Sequence, residues 1–309
     1  MPLISTTTKG VFVIAVTPFT SDGAIDFDSL DRVTDFYFES GADGLTILGM
    51  MGEAPKLTQA ESREVARRVI ARAGGKPVVV GVSAGGLAAL GELSDAVMDM
   101  GAAGVMVAPP TSLNTNESIE GYYAQVTNRL GKDVPVVLQD FPLSTKVVIS
   151  NPCLGKIIEA NPSIVMLKHE DWPGLAKISY LRDAEAKGRR RISILCGNGG
   201  IFLPEEMARG ADGAMTGFGF PEMMVQVCKL MEAGETERAQ DIFDAYLPLV
   251  RYEQQPGAGL AVRKYVLAKR GAIASAAMRA PAAPLAPAAV AEVETLLRRL
   301  AARLAAIGA

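Results

Sequence analysis

Eight short runs of mostly β-branched apolar residues recur along the 309-residue chain, separated by stretches of helical length. Runs that are nearly continuous in apolar residues are typical of strands covered on both faces, as in a parallel sheet. The runs lie at residues 11–16, 44–48, 77–82, 104–108, 135–140, 164–168, 192–196 and 213–216. The stretches between them are amphipathic, and one opens with the capping box Thr58-Gln-Ala-Glu61, which predicts the start of a helix.

Alternation of strands and helices predicts parallel strands joined by crossover helices. Eight such units predict an α/β fold, a (β/α)8 or TIM barrel, over residues 1–233. The alternative, a doubly wound open sheet, needs a glycine-rich turn after the first strand, where this chain has Thr17-Pro18-Phe19. Residues 234–309 are predicted to form a C-terminal helical region packed on the barrel, with helices at 236–249, 259–270 and 287–307.

Composition narrows the classes of function. The formal net charge is −3, with acidic and basic residues interspersed, so no nucleic-acid-binding face is expected. Three widely spaced cysteines predict a reducing compartment, and neither a signal peptide nor a membrane-spanning run is recognisable, so a cytoplasmic location is predicted. The single histidine, His169, argues against a histidine-rich zinc site, and no metal is expected.

The sixth apolar run ends in a lysine, Lys168. Active sites of such barrels form at the carboxyl ends of the strands, and a lysine is rarely buried without a reason. Burial disfavours the ammonium form, which would make a neutral amine available as a nucleophile. The alternative is an ion pair with Glu170 or Asp171, and the residues by themselves leave both interpretations open.

A set of ordered motifs gives the chain a family resemblance. They are Thr17-Pro18-Phe19, Gly41-Ala-Asp-Gly44, Gly49-x-x-Gly52-Glu53, Pro135-Val-Val-Leu138 with Pro142, and Ile164-Val-x-x-Lys168. With them the chain resembles the dihydrodipicolinate synthase / N-acetylneuraminate lyase family of class I aldolases. The resemblance implies that Lys168 forms a Schiff base with pyruvate or another small-molecule 2-keto acid. It also implies that no cofactor is needed and that the chain forms a homo-oligomer, a tetramer or a dimer.

By the same resemblance the turn at residues 49–53, with Met50, Met51 and Gly52, holds the carboxylate of the keto acid. Backbone N–H groups ahead of a helix suit a carboxylate, and glycine permits close approach. The chain departs from the family at this turn, because the two methionines replace threonines whose hydroxyl belongs to a proton relay. Gln139 stands where the family has a proton-shuttling tyrosine, and glutamine is neither an acid nor a base at neutral pH.

A further departure concerns the second substrate of the synthases. Ser144 stands where the synthases carry an arginine that clamps a carboxylate, so authentic 4-hydroxy-tetrahydrodipicolinate synthesis is disfavoured. The endings Gln139-Asp140-x-Pro142 and Lys168-x-Glu170 resemble the 2-keto-3-deoxy sugar-acid dehydratases instead. Aldolase and dehydratase therefore both remain open, together with a non-catalytic barrel that only binds a keto acid.

Strand alternation assigns candidate roles to the neighbours of Lys168. Glu170 lies on the same side of the strand and is the candidate acid and base, whereas His169 points the other way. Gln139 is grouped with these catalytic candidates because it occupies the tyrosine position. The remaining candidates for substrate binding are Asp140, which orients Lys168 or caps a turn, the hydroxyls of Ser83 and Thr216, Met215, and Gly197, which permits close approach of the substrate.

Overall fold

The eight apolar runs form eight parallel strands that close into a barrel in the computed structural model, which describes residues 2–308. Neighbours in the barrel follow chain order, and the last strand pairs with the first, so the predicted (β/α)8 fold is confirmed. The strands are β1 Gly10–Ile14, β2 Gly44–Ile47, β3 Val78–Gly81, β4 Gly104–Val107, β5 Val136–Asp140, β6 Ile164–His169, β7 Ser193–Cys196 and β8 Gly213–Ala214.

Helices connect the strands, and their ends follow local capping chemistry. The predicted capping box is confirmed, because Thr58 accepts from the backbone of Glu61 and the Glu61 side chain accepts in return. The barrel helices are α1 Phe27–Glu39, α2 Gln59–Arg72, α3 Leu87–Asp99, α4 Asn116–Leu130, α5 Pro142–Thr145, α6 Asn151–Ala160, α7 Leu175–Ala186, α8 Leu203–Ala208 and α9 Pro221–Glu232. Three further helices follow: α10 Thr236–Glu253, α11 Gly259–Lys269 and α12 Pro287–Ile307.

The strands bury both of their faces, which explains why their sequences are nearly continuous in apolar residues. Inward side chains, among them Phe12, Met106 and Met166, form one cluster that fills the barrel. Outward side chains, among them Val13 and Leu167, form a second cluster beneath the helices. Because apolar side chains fill both faces of the strands, polar side chains that could form a site lie where the strands end, at the mouth of the barrel.

The C-terminal helices begin and end close to the predicted positions, although α10 continues to Glu253, four residues beyond its predicted end. Helix α10 contacts α9 of the barrel as well as α11 and α12. Within the described residues no helix is long and apolar enough to cross a membrane. All three cysteines are free and buried.

A buried carboxyl between the barrel and α8 makes stability depend on pH. Glu206 of α8 faces the thiol of Cys196, and burial raises the pKa of Glu206 from 4.5 to about 8. Because the folded state favours the protonated form, its stabilising contribution is complete below pH 4.5 and is lost as the pH rises toward 8. At pH 8 we expect Glu206→Gln to raise the free energy of unfolding by about 4 kcal/mol, since burial raises the pKa from 4.5 to about 8 and one pKa unit is worth ~1.4 kcal/mol.

Chemical denaturation at pH 4.5 and pH 8 measures this effect. The matched control is Glu205→Gln, an exposed neighbour on the same helix, for which we expect no change at either pH. A gain of equal size at both pH values in the Glu206 variant would contradict the explanation by protonation.

Candidate active site

Strands β5 and β6 deliver the central side chains of the site to the mouth of the barrel. Gln139 and Lys168 are paired in the register of these two strands and are each 4% exposed. Glu170 follows two residues after Lys168 and is 6% exposed. The strand pattern continues this far, because the backbone N–H of Glu170 donates to the carbonyl of Asp140 at 2.9 Å. Residues 168 and 170 therefore share one face.

These three side chains contact one another. The ammonium nitrogen of Lys168 lies 3.0 Å from Oε2 of Glu170, and Nε2 of Gln139 donates to the same oxygen at 2.7 Å. The sequence left two interpretations of Glu170 open, an ion-pair partner of Lys168 and an acid and base beside it. The observed position of the carboxylate is compatible with both. A carboxylate held this close to an amine can accept its proton, which frees the nitrogen to attack a carbonyl carbon.

The intervening residues point away from the site. Asp140 and His169 are paired on the outer face of the barrel, where Nζ of Lys177 donates to Oδ2 of Asp140 at 2.6 Å. Burial raises the pKa of Asp140 to about 6, and burial beside Lys177 lowers the pKa of His169 to about 4. The prediction that Asp140 orients Lys168 or binds substrate is therefore wrong, because strand alternation turns its side chain toward α7.

Strands β7 and β8 require two more corrections. A side chain at Gly197 would overlap Cγ of Glu170, so this glycine makes room for Glu170 rather than for substrate. Met215 is fully buried in the apolar cluster that fills the barrel and lines neither cavity at the mouth, so its predicted contact with substrate is also wrong. Thr216 does line the site, where its hydroxyl accepts from the backbone N–H of Gly199 at 2.8 Å.

The turn after β2 forms a short 3₁₀ helix, Met50–Gly52. Met50 is 53% exposed at the mouth, and Met51 is half-buried against the barrel interior. Glu53 ends the turn in the left-handed region with φ 56°. Its buried carboxylate accepts from Nζ of Lys264 at 2.6 Å and from Nζ of Lys56 at 2.8 Å, which joins the turn to the C-terminal helices.

Two adjacent cavities open at this end of the barrel. The smaller, of about 40 Å³, contains Lys168 and Glu170, and the larger has a volume of about 240 Å³. The side chains that the two cavities share are Met50, Gln139 and Phe141. All residues that line the larger cavity are uncharged, and its polar groups include Ser83, Gln59, Ser62, Ser144 and Thr145.

Sequence reasoning missed several residues that line the smaller cavity. They are Ile14, Phe141, Asn198, Gly217, Gln254 and Arg263. Gln254 and Arg263 come from the C-terminal region, which the sequence did not connect with the site. A signal was present in α11, where Arg263 stands between the apolar positions Leu260 and Leu267 at helical spacing. A charge at such a core-facing position indicates a buried partner or a site.

Residues 7–300 match the model of the dihydrodipicolinate synthetase family. An L-2-keto-3-deoxyarabonate dehydratase from Azospirillum brasilense is 30% identical over 298 residues, which are 94% of either chain. A 4-hydroxy-tetrahydrodipicolinate synthase from Sorangium cellulosum is 32% identical over 303 residues, 96% of this chain and 97% of the relative. The crystal structure of dihydrodipicolinate synthase from Rhodopseudomonas palustris has a TM-score of 0.95 and 54% identity, covering 97% of this chain and all of that one (100%).

The space that Gly197 leaves for Glu170 is open to test. We expect Gly197→Ala to displace the Glu170 carboxylate from Lys168 and to lower kcat by about 100-fold, because small displacements in a catalytic group carry a cost of that order. Steady-state kinetics measures the loss, and circular dichroism checks that the fold is intact. The control is Gly85→Ala, whose added Cβ would meet nothing within 4 Å. A folded Gly197 variant with native kcat would refute this packing argument.

Proposed function

The chain belongs to the dihydrodipicolinate synthetase family, a family of class I lyases, and we propose that it dehydrates a 2-keto-3-deoxy acid through a Schiff base on Lys168. The observation that carries the proposal is the buried contact of Lys168 with Glu170, 3.0 Å apart, with Gln139 donating to the same carboxylate. The pair supplies a nucleophilic amine and a proton acceptor in one cavity. The relative from Azospirillum brasilense is named for a dehydration of this kind.

Glu170 serves the first step by taking a proton from the Lys168 ammonium group. The free amine adds to the keto carbon, C2, to give a carbinolamine. Glu170 then returns its proton to the carbinolamine hydroxyl, which leaves as water, so that a protonated imine and the Glu170 carboxylate remain. The positive imine nitrogen withdraws electrons and so acidifies the hydrogens on C3. Burial of the pair excludes water, which strengthens the electrostatic effect of the imine charge on C3.

The elimination needs one base and one acid, and Glu170 can supply both in turn. Its carboxylate removes a proton from C3, and the electron pair of that bond moves toward the imine as an enamine. The carboxylic acid so formed then protonates the hydroxyl on C4, which leaves as water while a C3–C4 double bond forms. Hydrolysis of the imine releases the unsaturated keto acid and restores Lys168. Gln139 orients the carboxylate by the hydrogen bond at 2.7 Å.

The hydroxyl groups of the family's proton relay are absent from this chain, and their absence favours this chemistry over the synthase reaction. Gln139, Met50 and Met51 provide no hydroxyl for proton transfer, so Glu170 is the acid and base that remains beside the lysine. Ser144 stands where the synthases carry the arginine for a second carboxylate, and it lines a cavity whose residues are all uncharged. A substrate with hydroxyl groups in this cavity finds partners in Ser83, Ser144 and Thr145.

An aldolase reaction is the second candidate, and the larger cavity is the observation that favours it. This cavity, of about 240 Å³, adjoins the smaller one that contains Lys168 and offers room for an aldehyde beside a bound pyruvate. Both reactions begin with the same imine. They differ in the bond that breaks, which is C4–O in the dehydratase and C3–C4 in the aldolase, so a panel of 2-keto-3-deoxy acids separates them by water loss against pyruvate release.

We also propose that the chain forms a homo-oligomer, a tetramer or a dimer. The segment between β5 and α6 leaves Val148 68% exposed and Leu143 51% exposed in the single chain, and large exposed apolar side chains in one segment favour association. Light scattering is expected to give the mass of two or four chains, and Val148→Lys is expected to lower it. A native mass of one chain would contradict this.

The proposed roles of Lys168 and Glu170 predict different results from borohydride trapping. With pyruvate and borohydride, the native protein should gain the mass of a reduced adduct on Lys168. Lys168→Arg should abolish the adduct. Glu170→Gln should still form it at saturating pyruvate but lower turnover of the preferred keto acid by ~100-fold or more, since general acid–base catalysis contributes about 10²–10⁴. Intact-protein mass spectrometry and a coupled assay measure these outcomes.

Lys146→Arg is the control for the lysine variant. Because Lys146 is an exposed lysine near the mouth, the protein that lacks it should still gain the full adduct on Lys168. Absence of an adduct on native Lys168 would refute the Schiff-base proposal. Full adduct formation with no turnover of any acid in the panel would instead identify a keto-acid-binding barrel.

A further inference from the structure

The buried guanidinium group of Arg263 has an unused donor at the active site. Arg263 is 2% exposed and lies in α11, outside the strands that carry the lysine chemistry. Its Nε donates to Oε1 of Glu253 at 2.5 Å. Its Nη1 is buried as well, yet it has no hydrogen-bond partner within residues 2–308.

An unpartnered donor on a buried cation is costly, because it has lost its hydration without gaining an acceptor. Lys264, the next residue, shows the contrast. Its buried Nζ donates to the carboxylate of Glu53 at 2.6 Å, to the carbonyl of Thr17 at 2.8 Å and to that of Ala277 at 3.0 Å. Two consecutive residues of one helix are thus buried cations. Lys264 has an acceptor for each of its three donors, whereas Nη1 of Arg263 has none among the residues that the structure describes. The spare donor of Arg263 calls for an acceptor that arrives from outside the chain.

The spare donor lies at the carboxyl ends of β1 and β8. A side chain at Gly217 would overlap Nη1 of Arg263, and the same position is 2.9 Å from the carbonyl oxygen of Ile14. Gly217, Ile14 and Arg263 all line the small cavity that contains Lys168. The guanidinium group therefore borders the space in which the imine would form.

Charge decides which part of a substrate belongs there. Lys168 and Arg263 carry the positive charge among the residues that line the two cavities, since all residues of the larger one are uncharged. Lys168 is paired with Glu170 and is used in forming the imine. In a 2-keto acid the carboxylate is bonded directly to the keto carbon that Lys168 attacks, so that carboxylate must lie in the small cavity.

We propose that Arg263 binds the carboxylate of the 2-keto acid through Nη1, with Glu253 holding the guanidinium group in place. The inference rests on the proposed function for the identity of the ligand. Arg263 adds a cationic partner at a site where Met50 and Met51 offer backbone N–H groups and no hydroxyl. Charge-assisted hydrogen bonds of this kind are about twice as strong as neutral ones. The assignment also orients the substrate, with its carboxylate toward β1 and β8 and its distal end toward the uncharged cavity.

Pyruvate and its neutral ester, methyl pyruvate, test the assignment because both present the same ketone to Lys168. The test variant is Arg263→Met combined with Glu253→Gln, which leaves no unpaired buried charge and keeps an acceptor for the Gly219 N–H, now 3.1 Å from Glu253. Borohydride trapping, followed by mass spectrometry, gives the half-saturating concentration of each ketone. Thermal unfolding checks each variant, and Arg263→Lys, which keeps a cation beside Glu253, replaces the double variant if that one is unfolded.

We expect the double variant to raise the half-saturating concentration of pyruvate by about 10- to 100-fold, since a hydrogen bond to a charged group is worth ~1.5–3 kcal/mol. That of methyl pyruvate should stay within about 3-fold. Arg263→Lys should weaken pyruvate alone by a smaller factor, because lysine lacks the planar fork. Arg270→Met is the control, since Arg270 pairs with Glu222 away from both cavities, and it should change neither ketone.

An equal loss for both ketones would assign Arg263 a structural role and overturn the proposal, as would a native response to pyruvate in the double variant. Calorimetric titration of pyruvate without borohydride separates this proposal from the Schiff base. Binding that depends on Arg263 in a protein that traps no ketone would refute the imine and support the arginine site. Trapping of pyruvate that does not change in the Arg263 variants would support the imine and refute the arginine site.

Discussion

The ion pair between Glu53 and Lys264 is the constraint on which the arrangement of the mouth depends. Both side chains are buried, with Nζ and Oε1 2.6 Å apart, and the lysine is also bonded to two backbone carbonyls. Breaking one side of such a pair leaves an uncompensated buried charge, which costs about 3–5 kcal/mol. The pair fastens the turn after β2 to α11, so the C-terminal helices cannot move independently of the site. It also fixes the position of Arg263, the preceding residue of the same helix.

Successive residues of each strand alternate between the cavity and the surrounding helices, so neighbouring polar residues have different roles. On β6 the residues 168 and 170 face the cavity, while His169 faces the helices, and on β5 Gln139 faces inward while Asp140 faces Lys177. Each strand thus supplies polar groups both to the site and to the layer behind it. On β5 the outer group, Asp140, pairs with Lys177 of α7, which holds the strand and keeps Gln139 in register. The proposed chemistry of Lys168 is therefore supported by an ion pair on the neighbouring strand, outside the site.

The proton relay of the family and this site place different groups beside the lysine. A Schiff-base enzyme needs an acid and base close to its lysine, and here a buried carboxylate held by Gln139 stands in that place. The cavity beyond it has hydroxyl and amide groups and no charge. Such a lining suits a hydroxylated chain better than a second carboxylate. This fits a dehydratase or an aldolase of neutral-tailed keto acids within the dihydrodipicolinate synthetase family.

The sequence by itself determined the eight-stranded barrel, the position of Lys168 at the end of a strand and the side of the strand on which Glu170 lies. These follow from periodicity and local capping, which act over a few residues. Only the tertiary structure decided that Asp140 and Met215 lie outside the site, that Gly197 makes room for Glu170, and that Arg263 borders the cavity. Such facts depend on which distant segments meet. Burial and ion pairing between residues far apart in the chain, such as Glu53 and Lys264, leave no local pattern to be read.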